Sequence, residues 1–222
     1  GVNMLLNPAG YAIADLGASA SREYVAFIPF GRFLGDLEYY LDPSTFSALD
    51  LKVKHPTLSG TITTQTFDAI LYALREPTTT SAGYFKISTK KTYTAAANTT
   101  EYVDLDRAYK YAAILIGELD GSSTDILSVI SNVKVNINGG ERIPIDESAT
   151  DLFEETAIEA GFLHDNAVTT PTATTNFVPL QWLKPWRGED YLLDAPSFGK
   201  LTLEILGGAA GTIRVTAIEL VK

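Results

Sequence analysis

The sequence predicts an all-β protein, a sandwich or jelly roll, and three observations carry that expectation. The 222 residues include 25 threonines, 11 tyrosines and 10 phenylalanines, a bias toward β-branched and aromatic side chains that suits pleated, half-buried surfaces better than helices. Period-two alternation recurs, with Leu49, Leu51 and Val53 interleaved with Asp50, Lys52 and Lys54, and Val133, Val135 and Ile137 with Lys134, Asn136 and Asn138. Such runs read as strands with one buried face. Asn138-Gly139-Gly140 ahead of Arg142-Ile143-Pro144-Ile145 is a hairpin signal, because Asn and Gly accept the positive φ of tight turns.

Taken in order, the first candidate element is a weak helix at Pro8–Leu16, with Pro8 tolerable in the first turn and Gly17 as its stop. Strands are expected at Tyr24–Phe30, Thr61–Leu74, Gly83–Ser88, Tyr109–Gly117, Phe177–Leu183 and Thr212–Val221, a spacing that suits a sandwich of short strands. One helix stands out at Ala149–Ala160, where Ala149, Leu152, Phe153, Thr156, Ala157 and Ala160 share a face. Ser148 can cap its start, and Gly161 can end it. Thr78–Ser81 and Thr169–Thr175 are polar, Thr-rich stretches and read as exposed loops or linkers.

The chain also repeats itself. Tyr39–Val53 lies over Tyr191–Ile205 at a constant offset of 152, with identities at Tyr39/Tyr191, Leu41/Leu193, Asp42/Asp194, Phe46/Phe198, Leu49/Leu201 and Leu51/Leu203. Alternation alone fixes aliphatic positions, whereas Asp, Phe and Tyr at one register mark a duplicated element. Each copy reads as strand, Leu-Asp turn, buried Phe and alternating strand. The second copy extends upstream through strands at 109–145, and the same extension runs the first copy off the start of the chain. The expected organisation is an N-terminal β unit over residues 1–100, an incomplete jelly-roll-like repeat, and a C-terminal jelly roll over residues 101–222.

Composition and motifs exclude several chemistries. No cysteine is present, so disulfides, thiolate metal sites and a Cys nucleophile are out. Net charge is −10 and the pI is about 4.6; no broad cationic surface exists, and direct nucleic-acid binding is not expected. The apolar runs Tyr111–Gly117 and Leu201–Gly208 are too short to span a bilayer, and the chain reads as soluble and mature. His55 and His164 stand without HxH, HExxH or carboxylate partners and read as surface histidines. No GxSxG elbow occurs. The run Glu118–Asp125 offers carboxylate and hydroxyl oxygens, yet departs from the EF-hand spacing and reads as an exposed loop. Trp182, Trp186 and Arg187 form the most distinctive short stretch. Core packing, a subunit interface and stacking on a sugar ring are the three readings open for it. No cofactor, metal site or catalytic residue is expected.

With the strand at Tyr109–Gly117, the strand pair around Asn132–Ile145, the helix at 149–160 and the closing strands Phe177–Val221 in this order, the chain resembles a known family. It is similar to the jelly-roll major capsid proteins of tailless icosahedral viruses, most closely the double jelly-roll coat proteins of membrane-containing bacteriophages. The duplicated segment at 24–66 looks like the end of a preceding roll. The resemblance implies a double jelly roll with its first roll shortened, or a smaller single-roll subunit. It also implies a non-enzymatic coat protein that self-assembles as trimers into an icosahedral shell, over a lipid membrane or genome, after assembly in the host cytoplasm. The alternative function is a carbohydrate-binding or adhesin-like β-sandwich, which requires Trp182 and Trp186 to form an exposed platform.

Overall fold

A computed structural model describes residues 11–15, 22–25, 30–32, 36–52, 71, 80–118, 126–160, 177–182 and 191–222, with 11–15, 22–25, 118 and 156–160 described by backbone alone. Strands β1 (Tyr11–Asp15) and β2 (Arg22–Val25) form a two-stranded antiparallel ladder. Next come β3 (Tyr84–Ala95), β4 (Thr100–Asp104) and β5 (Lys110–Glu118). After the short helix α1 (Ile126–Val129) follow β6 (Ile130–Ile137), β7 (Arg142–Ser148), helix α2 (Ala149–Ala160), β8 (Phe177–Gln181), β9 (Leu201–Gly207) and β10 (Gly211–Val221).

Strands β3 to β10 make two four-stranded sheets of order β3-β10-β5-β8 and β4-β9-β6-β7, with every pairing antiparallel. Only the β6–β7 hairpin stays within one sheet; each other connection crosses to the opposite one. That is a complete eight-stranded jelly roll. Its first strand, β3, lies before position 101 and is laddered to β10 along its whole length.

The roll's core follows from the alternation. On β6, Val133, Val135 and Ile137 are buried, and on β9, the neighbouring strand of the same sheet, their ladder partners Ile205, Leu203 and Leu201 are buried beside them. In β5 the run Tyr111–Ile116 is buried throughout. Such a continuous apolar run marks a strand covered on both faces, and a second apolar cluster does lie against the same sheet: Tyr39, Phe85, Ala112, Ala113, Leu115, Leu192, Ile218 and Leu220. The Asn-Gly-Gly turn forms as expected, with Asn138, Gly139 and Gly140 at φ of 54°, 74° and 106°. Helix α2 occupies the expected span, and Ser148 Oγ accepts the Asp151 N–H at 3.1 Å as its N-cap.

Two expectations need correction. The N-terminal helix at Pro8–Leu16 is instead strand over Tyr11–Asp15, because an antiparallel partner a few residues away satisfies its backbone, whereas an isolated two-turn helix is marginal. The alternating segment from Leu49 is not a half-buried strand over its described part: residues 47–52 join no ladder, and Leu49 and Leu51 are 50% and 65% exposed. Alternation alone makes no strand; a sheet must receive the apolar face, and among the described residues none does. The strand expected at Thr61–Leu74 lies outside the described residues apart from Leu71.

Candidate assembly surface

The two copies of the repeat fold into the same local device. Asp42 precedes a 3-10 turn at Pro43–Thr45 and Asp194 one at Ala195–Ser197. The backbone bonds match: Thr45 N–H to Asp42 O at 3.2 Å and Ser197 N–H to Asp194 O at 3.1 Å, then Phe46 N–H to Pro43 O at 3.2 Å and Phe198 N–H to Ala195 O at 3.1 Å. In both, a hydroxyl closes on the Asp carbonyl, Thr45 Oγ1 at 2.8 Å and Ser197 Oγ at 2.7 Å. The Ser44 hydroxyl and N–H also donate to Asp42 Oδ1 and hold its carboxyl below the usual range.

Beyond the turns the copies diverge. Leu201 and Leu203 continue into β9, flanked by β4 and β6, and are 1% and 0% exposed. Their counterparts Leu49 and Leu51 point into solvent. Among the described residues the exposed large hydrophobic side chains are Phe30, Leu37, Leu49, Leu51 and Leu71 before β3, Ile87 on β3 itself, and Tyr102, Ile143 and Tyr191 after it. The segment before β3 thus carries the greater share on fewer described residues.

A compact polar knot fastens this unit to the roll. Arg32 grips Asp36 through Nε at 2.8 Å and Nη2 at 2.9 Å, and its Nη2 reaches Glu38 at 2.6 Å. Asp36, 2% exposed, also accepts the backbone N–H groups of Arg32, Glu38 and Tyr39. Burial alone pushes its carboxyl up, but these bonds and the Arg32 charge bring it below its ordinary value. The Arg32 guanidinium stands 4.6 Å from the Tyr39 ring centre, and Tyr39 packs 5.4 Å from Phe85 on the roll's outer cluster. Gly31 permits the close turn, since a Cβ there would sit 2.3 Å from Tyr39 O. Backbone bonds Phe85 N–H to Phe30 O, Tyr40 N–H to Gly83 O and Ala82 N–H to Glu38 O continue the attachment. Beside it an open cleft of about 310 Å³ is lined by Tyr40, Asp42, Phe46, Ser81, Tyr84 and Lys222.

Inside the sandwich, Glu219 on β10 is fully buried. It accepts Ser88 Oγ at 2.7 Å and pairs with the Lys90 ammonium. Lys90 is the extra residue of a β-bulge: the ladder pairs Thr216 with Thr89 and Val215 with Lys91. The neighbouring Lys91 pairs with Glu101 and donates to Tyr102 O at 3.0 Å, tying β3 to β4 across the sandwich. Burial, with the Glu219 charge nearby, pushes the Tyr111 hydroxyl up, and that hydroxyl donates to Asp106 O at 2.5 Å. Sequence reasoning passed over the arginine knot and this buried pair. A Lys-Lys doublet breaking the alternation of β3 was the one available signal.

Trp182 follows β8, donates its backbone N–H to Ala112 O at 3.0 Å and packs against the main core. Trp186 and Arg187 lie outside the described residues, as do His55, His164 and residues 119–125 of the acidic loop. Among the described residues no group of three His, Asp or Glu side chains is placed to hold a metal ion, and no helix is long and apolar enough to cross a membrane.

No family model and no curated protein matches the sequence. Among solved structures, the chain is similar to the major capsid protein P2 from bacteriophage PM2 at 13% identity and a TM-score of 0.44, covering 64% of this chain and 47% of that one. It is similar to the STIV MCP at 14% identity and a TM-score of 0.46, covering 65% and 42%. It is also similar to the PBCV-1 virus capsid at 9% identity and a TM-score of 0.42, covering 61% and 46%. The matched region is less than half the length of each of these chains.

Proposed function

We propose that the chain is a structural coat subunit that assembles through its surfaces and catalyses nothing. The observation that carries the assembly reading is the unequal fate of the repeat: Leu49 and Leu51 keep the pattern that is fully buried at Leu201 and Leu203, yet stand exposed. A surface patterned for burial and left open is a surface for a neighbour. The step from assembly subunit to coat protein is an analogy of fold, resting on the jelly-roll strand order and the duplicated closing element. It takes up the capsid role named for the structures to which the chain is similar.

On this reading an N-terminal β unit and a C-terminal roll form one subunit, subunits join as trimers, and trimers tile an icosahedral virion shell over a lipid layer or genome, after assembly in the host cytoplasm. Trp186 and Arg187 would serve neighbour contacts. The carbohydrate-binding alternative draws no support from Trp182, whose ring packs on the core instead of forming an open platform. Light scattering and negative-stain microscopy of the wild type beside a Leu49→Lys/Leu51→Lys variant test the proposal. Trimers or closed shells weakened in the variant support it; a wild type that never passes the mass of one chain overturns it.

A further inference from the structure

The outer edge of β3 is unlike the other three edges of the sandwich. Strand β7 carries Pro144 and β8 carries Pro179, residues that cannot donate to a ladder. On β4 the Tyr102 carbonyl is taken by Lys91. Strand β3 has 12 residues and no proline. Phe85 donates its N–H away from β10, to Phe30 O, so strand alternation turns Ile87 and Thr89 outward as well. The bulge at Lys90 shifts the phase, and the outward positions beyond it are Thr92 and Thr94. All four side chains are exposed, and beyond the ladder to β10 the described structure gives none of the four a partner. Open among the described residues, this stretch spans about 26 Å at roughly 3.3 Å per residue.

The outward positions are self-complementary. Laid antiparallel against a second copy, Ile87 falls opposite Thr94 and Thr89 opposite Thr92, and both halves of the contact are satisfied by one register. Every facing pair is β-branched, which favours cross-strand packing. The charges also permit it: Lys86 meets Ala95, and the central Lys90 and Lys91 are already neutralised by Glu219 and Glu101. We infer that two copies of this chain join β3 to β3 across a twofold axis, merging their sheets into one eight-stranded sheet. An isologous contact of this kind closes on itself instead of growing into a fibre. The inference rests on the edge alone, and within a shell it would supply the contact between neighbouring trimers.

The experiment is light scattering across a concentration series on the wild type, Thr89→Pro and Ile87→Lys/Thr94→Lys, with far-UV circular dichroism to verify the fold. Thr89→Pro removes only an outward N–H, and the lysine pair sets like charges face to face while leaving every β10 bond intact. The expected result is a wild-type series with a doubling step in mass, lost in both variants. In hydrogen exchange, the Ile87, Thr89, Thr92 and Thr94 amides should become protected at least tenfold as concentration rises. A mass distribution the same in all three proteins, or edge amides that exchange at one rate at every concentration, overturns the inference. A wild type that stops at two chains would uphold the edge contact and sink the shell reading, so the two failures are separable.

Discussion

Leu51 and Leu203 occupy the same position in two copies of one structural element, and they have opposite environments: Leu51 is 65% exposed while Leu203 is fully buried. The turn ahead of each is built from the same bonds, so the difference lies in what surrounds the strand and not in the residues that lead into it.

Truncating the two leucines should therefore give unequal results. Leu203→Ala leaves a cavity between the sheets and is expected to cost about 2–5 kcal/mol, whereas Leu51→Ala should stay within about 0.5 kcal/mol in the isolated chain. Urea unfolding of both variants measures this. A comparable loss for Leu51→Ala would show that the first copy is already covered within one chain.

The Lys90–Glu219 pair is expected to behave as a buried ion pair. Removing one partner, as in Lys90→Met, strands the Glu219 carboxylate and should cost about 3–5 kcal/mol, while Lys90→Met/Glu219→Leu should recover most of that loss. The half-exposed Lys91–Glu101 pair supplies the contrast, with Lys91→Ala costing about 1 kcal/mol or less. Equal losses for Lys90→Met and Lys91→Ala in thermal melts would contradict the assignment.

Asn138 links the β6–β7 turn to the loop before β9, accepting Gly199 N–H at 2.7 Å and Lys200 N–H at 3.1 Å on Oδ1. Asn138→Ala gives up both bonds at a positive φ and is expected to cost about 1–3 kcal/mol. Asn138→Asp, which keeps an accepting oxygen, should retain more stability. Chemical denaturation of the pair checks the order.

The arginine knot should be acid-labile. Asp36 is held below its ordinary value of 3.8, so its contribution is complete above that value and fades as pH falls through the lower folded value. Acid titration of the near-ultraviolet signal, which reports Tyr39 packing, should show a step below about pH 4 that is missing in Asp36→Asn. Gly31→Ala should loosen the same packing at neutral pH, because its Cβ would meet Tyr39 O at 2.3 Å. An unchanged signal in both variants would remove the knot from the account.

The roll was legible in the sequence where burial and alternation coincide. Val133, Val135 and Ile137, the Asn138 turn and the Ser148 cap each combine a local propensity with a matching tertiary partner. The repeat was legible because Asp42/Asp194 and Phe46/Phe198 serve one turn geometry, which constrains residue type more tightly than alternation does. Leu49 and Leu51 carried the same code as Leu201 and Leu203, and only the surroundings separate a ladder from an open segment. Tyr11–Asp15 misled because a proline ahead and a glycine behind bracket strands as well as helices. The Arg32–Asp36 knot and the Glu219 pair join residues through space, from 4 to more than a hundred positions apart, so beyond the Lys90-Lys91 doublet no local pattern announced them.

The most direct test of the central claim is the solution mass of the purified chain, measured by light scattering over a concentration series beside Leu49→Lys/Leu51→Lys. The account expects the wild type to form species at three times 24.0 kDa or larger closed assemblies, and the lysine variant, its fold intact, to fall back to two chains or fewer. A wild type at one chain mass at every concentration, or a variant that assembles as well as the wild type, would contradict it.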